Sequence, residues 1–479
     1  MNIVKQRLSA CTSILVGKKA TLDGSTFIGR NEDFKSAWPK HMCVHSHKEF
    51  KATQSFVSKS NGFKISLPSI RYKYTATPEW TDEFGLLEEN GINEYGVAMS
   101  ATESAYANSN VLSYDPLVKD GISEEAMLTV VLPYVSTAKA GVKRLGEIVT
   151  KHGASEANGI LFADNNEVWY MEIGSGHHWV AQRIPDDCYA VVANQLSIQK
   201  IDFNDSANFL ASPNIQQFVQ KNHLNPALES NFIFRDIFGT HTLFDEIYNT
   251  PRVWYGQKFL TPSKEQVPMD ENLAFTLKPD RKLGIDDLTY VLSSHFQKTP
   301  YDPIGQGDAT LKHKFRPISL AKTQESHVLQ LRPNLPPALS GIQWLALGVP
   351  AQSIFVPFYA GASDVHSAYK LGNETYSPDS AYWTYKHVGI LVDAHYPLFG
   401  PILKDLQDEL TTKFKQHIHL IDQKAIQNSF SGKELEEYLT KNSIELQELG
   451  LTEFKKLAAQ LITSATDLSP LNFKTDANL

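Results

Sequence analysis

Runs in which apolar side chains alternate with polar or hydroxyl ones, closed by glycine, asparagine or aspartate, recur along the N-terminal part of this chain and predict strands. The first is residues 11–17, Cys-Thr-Ser-Ile-Leu-Val-Gly; after a turn-prone Asp23-Gly24 a second run, residues 25–30, completes an opening hairpin. With the connection centred between Lys18 and Asp23, residues 11 and 30 fall directly opposite each other. Opposed residues share a sheet face, so Arg30 is expected to flank Cys11. Residues 91–100 predict a second hairpin folding at Asn93-Glu94-Tyr95-Gly96. From Gly159 the pattern reads as a meander of four strands, residues 160–163, 167–173, 178–184 and 188–195, with Asn194 at its end. Later strand-like runs cover residues 326–331, 342–347 and 353–358.

Between and after these runs the apolar period lengthens to that of a helix. Ser123 followed by Glu124 and Glu125 marks a helix start, which Pro133 interrupts. A second helix begins near Ser136, places Val142, Leu145, Ile148 and Val149 on one face and stops at Gly153. Residues 379–465 read mostly as amphipathic helices. No linker is evident. Strand runs interspersed with helical blocks, without strict βαβ alternation, predict an α+β chain of helices packed on antiparallel sheet.

Composition narrows the function. The chain has 479 residues, 42% apolar and 20% charged, enough for a full core and unlike a disordered or fibrous sequence. A net charge of −8 removes the main electrostatic support for nucleic-acid binding. No run approaches the apolar length of a membrane span, and residues 1–10 lack the apolar stretch of a signal peptide. A cytoplasmic protein is expected. Cys11, Cys43 and Cys188 are odd in number and dispersed, which fits a reducing compartment and no disulfide scaffold or CxxC metal site. The nucleophile elbow GxSxG, the phosphate loop GxxxxGK[ST], the GxGxxG fingerprint and the zinc motif HExxH do not occur. His177-His178 and His417-Ile418-His419 lack a recognised ligand spacing and read as structural or solvent-facing, so no metal is expected.

Cys11 stands out for its setting: Ala10 before it, Thr12 and Ser13 after it, and a returning strand that carries Arg30. On its own, such a cysteine is a small core hydrophobe. Together, Cys11-Thr12-Ser13-Ile14-Leu15, Asp23-Gly24-Ser25 and Gly29-Arg30-Asn31-Glu32-Asp33 resemble the start of the cysteine branch of the N-terminal-nucleophile (Ntn) hydrolases, the group of penicillin V acylase and conjugated bile-acid hydrolase. More closely, the chain is similar to the bacterial dipeptidase A family. The resemblance continues through residues 93–98, 164–172, Tyr248-Asn249-Thr250-Pro251-Arg252-Val253-Trp254, 301–303, Phe315-Arg316-Pro317-Ile318-Ser319, Ser326-His327-Val328-Leu329-Gln330-Leu331-Arg332, 342–348 and Ser380-Ala381-Tyr382-Trp383.

That resemblance implies a four-layer αββα Ntn sandwich: residues 1–10 a propeptide, 11–375 the core, and 376–479 a helical region packed on it. Cleavage of the Ala10–Cys11 bond would free an α-amine of pKa about 7.7–8.0, able to act as the base for the Cys11 thiol. The resemblance also assigns site roles. Arg30 would favour thiolate, Asp33 would orient the new amine, the Asn194 side chain would donate to the oxyanion, and Arg252 would be a second active-site arginine. Read alone, Arg30 fits a surface or structural ion pair and Asp33 a strand-end cap, and Asn194 is better read as a turn asparagine. Glu103 is the candidate to receive a dipeptide's free ammonium; the bland alternative is a solvent-facing glutamate. Cys43 and Cys188 read as packing residues. The implied activity is dipeptide hydrolysis through a Cys11 acyl-enzyme, without metal or organic cofactor, by a self-associating homo-oligomer. The rivals are an amidase or acylase acting on N-acyl amino acids, and a catalytically silent binding homologue.

Overall fold

Alternating runs pair here into two large antiparallel sheets, and helices cover them, in a computed structural model that describes residues 10–227 and 231–472. Residues 1–9 of the expected propeptide lie outside the described residues. The opening hairpin joins β1 (Ala10–Val16) to β2 (Thr26–Asp33). Its register differs from the expected one: Cys11 lies opposite Glu32, and Arg30 opposite Ser13. A short 3-10 turn at Lys18–Ala20 and a local turn in which the Ser25 N–H donates to Asp23 Oδ1 at 3.0 Å use up connection residues, moving its centre toward β2. The displacement is two residues, so Arg30 stays on Cys11's face as a diagonal neighbour.

The second hairpin forms as expected, from β3 (Asn90–Ile92) and β4 (Ala98–Ser104). Three of the four meander strands, β5 (Asn158–Ala163), β6 (Val168–Ile173) and β7 (Trp179–Ile184), pair in succession. The fourth, β8 (Tyr189–Val192), leaves the meander and pairs with β1 instead. The crossing is made where Gly17 passes the Pro185 turn; a Cβ on Gly17 would sit 2.4 Å from the Pro185 carbonyl oxygen, so only glycine lets β1 and β8 approach there. With β9 (Phe209–Ala211), β10 (Thr276–Leu277), β11 (Thr323–Leu331), β12 (Gly341–Leu347) and β13 (Val356–Tyr359), the strand orders are β10-β8-β1-β2-β11-β12-β13 and β9-β7-β6-β5-β4-β3.

Side-chain alternation distributes each strand between two clusters. Leu15, Ile28 and Leu329 of the seven-stranded sheet share one buried cluster with Leu161, Val168 and Tyr170 of the six-stranded sheet. The next residues along, Ile14, Phe27 and Val328, point the other way, into a cluster shared with helices. There α3 (Thr250–Leu260), α4 (Ile285–Leu292), α5 (Ala381–Ala394), α6 (Tyr396–Gln427) and α7 (Gly432–Thr466) contribute Trp254, Leu288, Val388, Phe414 and Phe454. On the six-stranded sheet, Phe162, Trp169 and Met171 pack with Met127 of α1 (Glu124–Val131) and Leu145 of α2 (Ala138–His152). The chain is therefore mixed α+β, with a buried apolar interface common to both sheets.

Leu15→Ala removes a fully buried side chain from that interface. It is expected to lower stability by about 2–5 kcal/mol in chemical denaturation; a change within about 0.5 kcal/mol, the size usual for surface substitutions, would show that the sheets do not depend on this contact.

Candidate active site

Strand pairing alone puts the site's polar residues in rows. Continuing the β8–β1 register carries Asn194 beside Cys11, while β2 and β11 add Glu32 and Glu325 to the same row. The adjacent row holds Ser13, Arg30 and His327, and the row after it the apolar Leu15, Ile28 and Leu329. The interface between the sheets thus changes from apolar to charged within one strand, and Cys11 lies at the charged end.

Arg30 is fully buried and uses every part of its guanidinium. Nη1 lies 3.2 Å from Cys11 Sγ and donates to the Thr102 carbonyl at 2.8 Å; Nη2 donates to the Ala101 carbonyl at 3.1 Å and pairs with Glu89; Nε donates to Ser100 Oγ at 3.0 Å. The Ser100 hydroxyl is held in turn by His327 Nε2 at 2.9 Å, whose Nδ1 lies 2.9 Å from Glu325 Oε1. Burial pushes the Cys11 thiol well above its ordinary pKa, with Arg30 the largest opposing influence. With Ala10 attached, the thiol is held protonated.

The Cys11 nitrogen, here an amide, donates to Asn194 Oδ1 at 3.1 Å. Asn194 Nδ2 gives one hydrogen to the Ser104 carbonyl at 2.9 Å. Arg252, near the start of α3, donates from Nη2 to Asn194 Oδ1 at 2.8 Å and from Nη1 to Thr12 Oγ1 at 2.9 Å and to the Cys11 carbonyl. Burial, with Arg316 beside it, draws the Arg252 pKa down to about 9, which leaves it charged at neutral pH. Cys11, Arg30, Asn194 and Arg252 are therefore brought together.

Asp33 and Glu103 are placed differently. Asp33 pairs with Ala10, one residue before the cysteine, and its carboxylate is taken by Arg316 and Thr323, so it does not meet the Cys11 nitrogen in this uncleaved chain. Glu103 is fully buried, which excludes the solvent-facing alternative. Its Oε2 accepts from Ser13 Oγ at 2.5 Å, and burial pushes its pKa up to about 7.

Residues that the sequence reading passed over complete the site. Glu89 and Ser100 hold Arg30, Arg316 holds Asp33, and His327 with Glu325 positions Ser100; the resembling motifs around Arg316 and His327 were the available signal. A cavity of about 230 Å³ has Glu32, Glu79, Glu89, Glu124, Glu125 and Glu156 in its walls; of these, Glu32 is the cross-strand partner of Cys11 and Glu89 pairs with Arg30. Away from it, Cys43, His45 and Glu88 offer three metal-ligand atoms within 4.8 Å of one another, so Cys43 has a richer setting than packing alone. Glu88 is already engaged by His45 at 2.6 Å, Thr129 at 2.6 Å and Tyr74 at 3.0 Å, bonds that satisfy the group without an ion.

A buried cysteine thus stands on the first strand of a sheet with an arginine against its sulfur, in a peptidase: residues 10–409 match Peptidase family C69, and the chain belongs to that family. It is 47% identical to a probable dipeptidase of Latilactobacillus sakei over 98% of this chain and 99% of that protein. A probable dipeptidase B of Lactococcus lactis subsp. lactis is 36% identical over 99% of both, and dipeptidase A of Lactobacillus helveticus 35% identical over 97% of this chain and 98% of its own length.

Glu103 gives a signed pH dependence. Its pKa of about 7 lies above the ordinary 4.5, so its neutral form favours the folded state; that contribution is complete below about pH 4.5 and is lost as pH rises to about 7. Glu103→Gln, which cannot ionise, is expected to reduce the loss of stability across this window by about 3 kcal/mol relative to the parent. Denaturant titrations at the two ends of the window check it, and equal losses in both proteins would contradict it.

Proposed function

We propose that the chain hydrolyses dipeptides through Cys11 as an N-terminal nucleophile, released by hydrolysis of the Ala10–Cys11 bond. The observation that carries the reading is the contact of Arg30 Nη1 with Cys11 Sγ at 3.2 Å on the residue next to that bond, and the dipeptidase names of full-length relatives support it. Cleavage turns the Cys11 nitrogen from an amide into an amine of pKa about 7.7–8.0, a base matched to neutral pH. The amine takes the thiol proton, and the thiolate, stabilised by Arg30, attacks the peptide carbonyl carbon.

As the carbonyl oxygen gains charge, the Asn194 Nδ2 hydrogen not given to Ser104 is the candidate donor to it. The C–N bond breaks, the α-ammonium returns its proton to the departing amine, and the C-terminal amino acid leaves. Water then adds to the thioester, passing a proton to the α-amine; collapse releases the N-terminal amino acid and restores the thiol. Arg252 positions this machinery by bracing both Asn194 and the Cys11 carbonyl. In the cleaved enzyme Asp33, next to the cut, is the carboxylate that would orient the amine.

The shared cluster between the sheets and the helices on their outer faces support reading the fold as a four-layer αββα Ntn sandwich, with the C-terminal helices joined to its core. Among the described residues no helix is long and apolar enough to cross a membrane, and three free cysteines fit a cytoplasmic location.

Intact mass measured on the same sample as dipeptide hydrolysis tests processing. Active protein is expected to begin at Cys11; full activity of a chain that retains residues 1–10 would exclude the α-amine as base. Asn194→Ala is expected to lower kcat by about 10²–10³-fold, and Cys11→Ser to keep the fold and lose nearly all turnover. Normal kcat in the Asn194 variant would remove it from the oxyanion site.

A further inference from the structure

A dipeptidase must distinguish a free amine from a blocked one; the expected receiver, Glu103, already accepts from Ser13, and a larger group of carboxylates lines a cavity next to the Cys11 row. The cavity walls hold six glutamates, against which the nearby buried cations are Arg30 and Lys40. Lys40 Nζ lies 2.9 Å from Glu32 Oε1 and 3.6 Å from Glu89 Oε1, and Arg30 pairs with Glu89. Even so, Glu32 Oε2, Glu79 Oε2, Glu89 Oε1 and Glu125 Oε2 are buried without a hydrogen-bond donor, on side chains more than nine-tenths buried. Acceptors left unmet on one wall call for a donor from outside the chain.

We propose that this cavity is the binding site for the substrate's free α-ammonium, with Glu124 and Glu32 as the carboxylates that face it from the two sides. Its position follows from the chemistry: the ammonium is attached to the carbon next to the carbonyl that Cys11 attacks, so its site must adjoin the sulfur. Glu32 is Cys11's direct partner across the β1–β2 ladder. Glu124, half-buried at the start of α1, is among the charges that act on the Cys11 sulfur, after Arg30 and Glu103. The Glu124 N–H is capped by Glu156 Oε1 at 2.8 Å, which fixes where its side chain begins.

At about 230 Å³ the cavity has roughly the volume of eight waters, room for an ammonium group and the carbons that carry it. A chain that extended N-terminal to the attacked residue would bring an amide and further atoms into this acidic space in place of a cation. Desolvation pushes Glu124 up to about 8 and raises Glu32 and Glu125 as well, a cost that a cation brought among them offsets. Specificity for the free amine then comes from buried carboxylates that only a charged donor satisfies.

This inference rests on the dipeptidase reading, and the test separates the two. In processed enzyme, kcat/KM is measured for Ala-Ala and for propionyl-Ala, which differ only by the amino group. Glu124→Gln is expected to lower kcat/KM for Ala-Ala by about 10- to 100-fold, mainly through KM, the size of one charge-assisted hydrogen bond. Hydrolysis of propionyl-Ala should change little. Equal losses on both substrates would overturn the proposal.

Alkylation of Cys11 by iodoacetamide provides a readout independent of turnover and of whether the variant folds. Propylammonium is expected to protect the parent enzyme, whereas propanol and potassium ions are not. Absence of protection by propylammonium, or equal protection by potassium, would overturn the ammonium site. Protection in a protein that fails to split Ala-Ala would instead overturn the dipeptidase reading alone.

Discussion

The buried Arg30 guanidinium is the constraint on which the site depends. It starts on the second strand of one sheet and reaches Ser100, Ala101 and Thr102 on a strand of the other, so it holds the sheets together at the place where their apolar contact ends. It also lies against Cys11 Sγ. A charge so placed must be neutralised and fully hydrogen-bonded, because desolvating it otherwise costs several kcal/mol. Glu89 supplies the charge, and strand β4 supplies backbone and hydroxyl acceptors.

From that requirement the surrounding polar groups follow in order. Ser100 accepts from Arg30 and is positioned by His327, which Glu325 orients; burial lowers the histidine's pKa, so it serves as a neutral bridge. Glu89 and Glu32 share Lys40. Arg252 braces the opposite side, tying Asn194 and the Cys11 backbone to the helix that follows Asn249. Most of these bonds join groups far apart in the chain, which makes the surroundings of Cys11 a property of the folded assembly and keeps their geometry rigid.

The same interface accommodates two kinds of chemistry because a strand alternates. Moving two residues along β1 keeps the face and changes the environment: Leu15 is in the apolar cluster, Ser13 meets Glu103, and Cys11 meets Arg30. Moving one residue reverses the face, and Ile14 joins the helices. The register correction in the opening hairpin illustrates why the error was harmless: a two-residue slip preserves the face, whereas a one-residue slip would have placed Arg30 among the helices. The correction to the meander mattered more. By leaving its neighbours for β1, β8 delivers Asn194 to Cys11, a pairing between residues 183 positions apart.

Local pattern in the sequence determined the two hairpins, the helices after Ser123 and Ser136 and the long C-terminal helices, while Cys11, Arg30, Asn194 and Arg252 were singled out only by the resemblance of their motifs to a known family. The elements are readable because period and turn chemistry act over a few neighbouring residues. Only the tertiary structure decided that Asp33 is held by Arg316 and Thr323, that Glu103 faces Ser13, and that six glutamates from distant segments share one cavity. A carboxylate in a sequence has the same local signature whether it ends in water or in the core. Its role is set by which long-range partners replace its lost hydration, and those partners are chosen when the sheets pack.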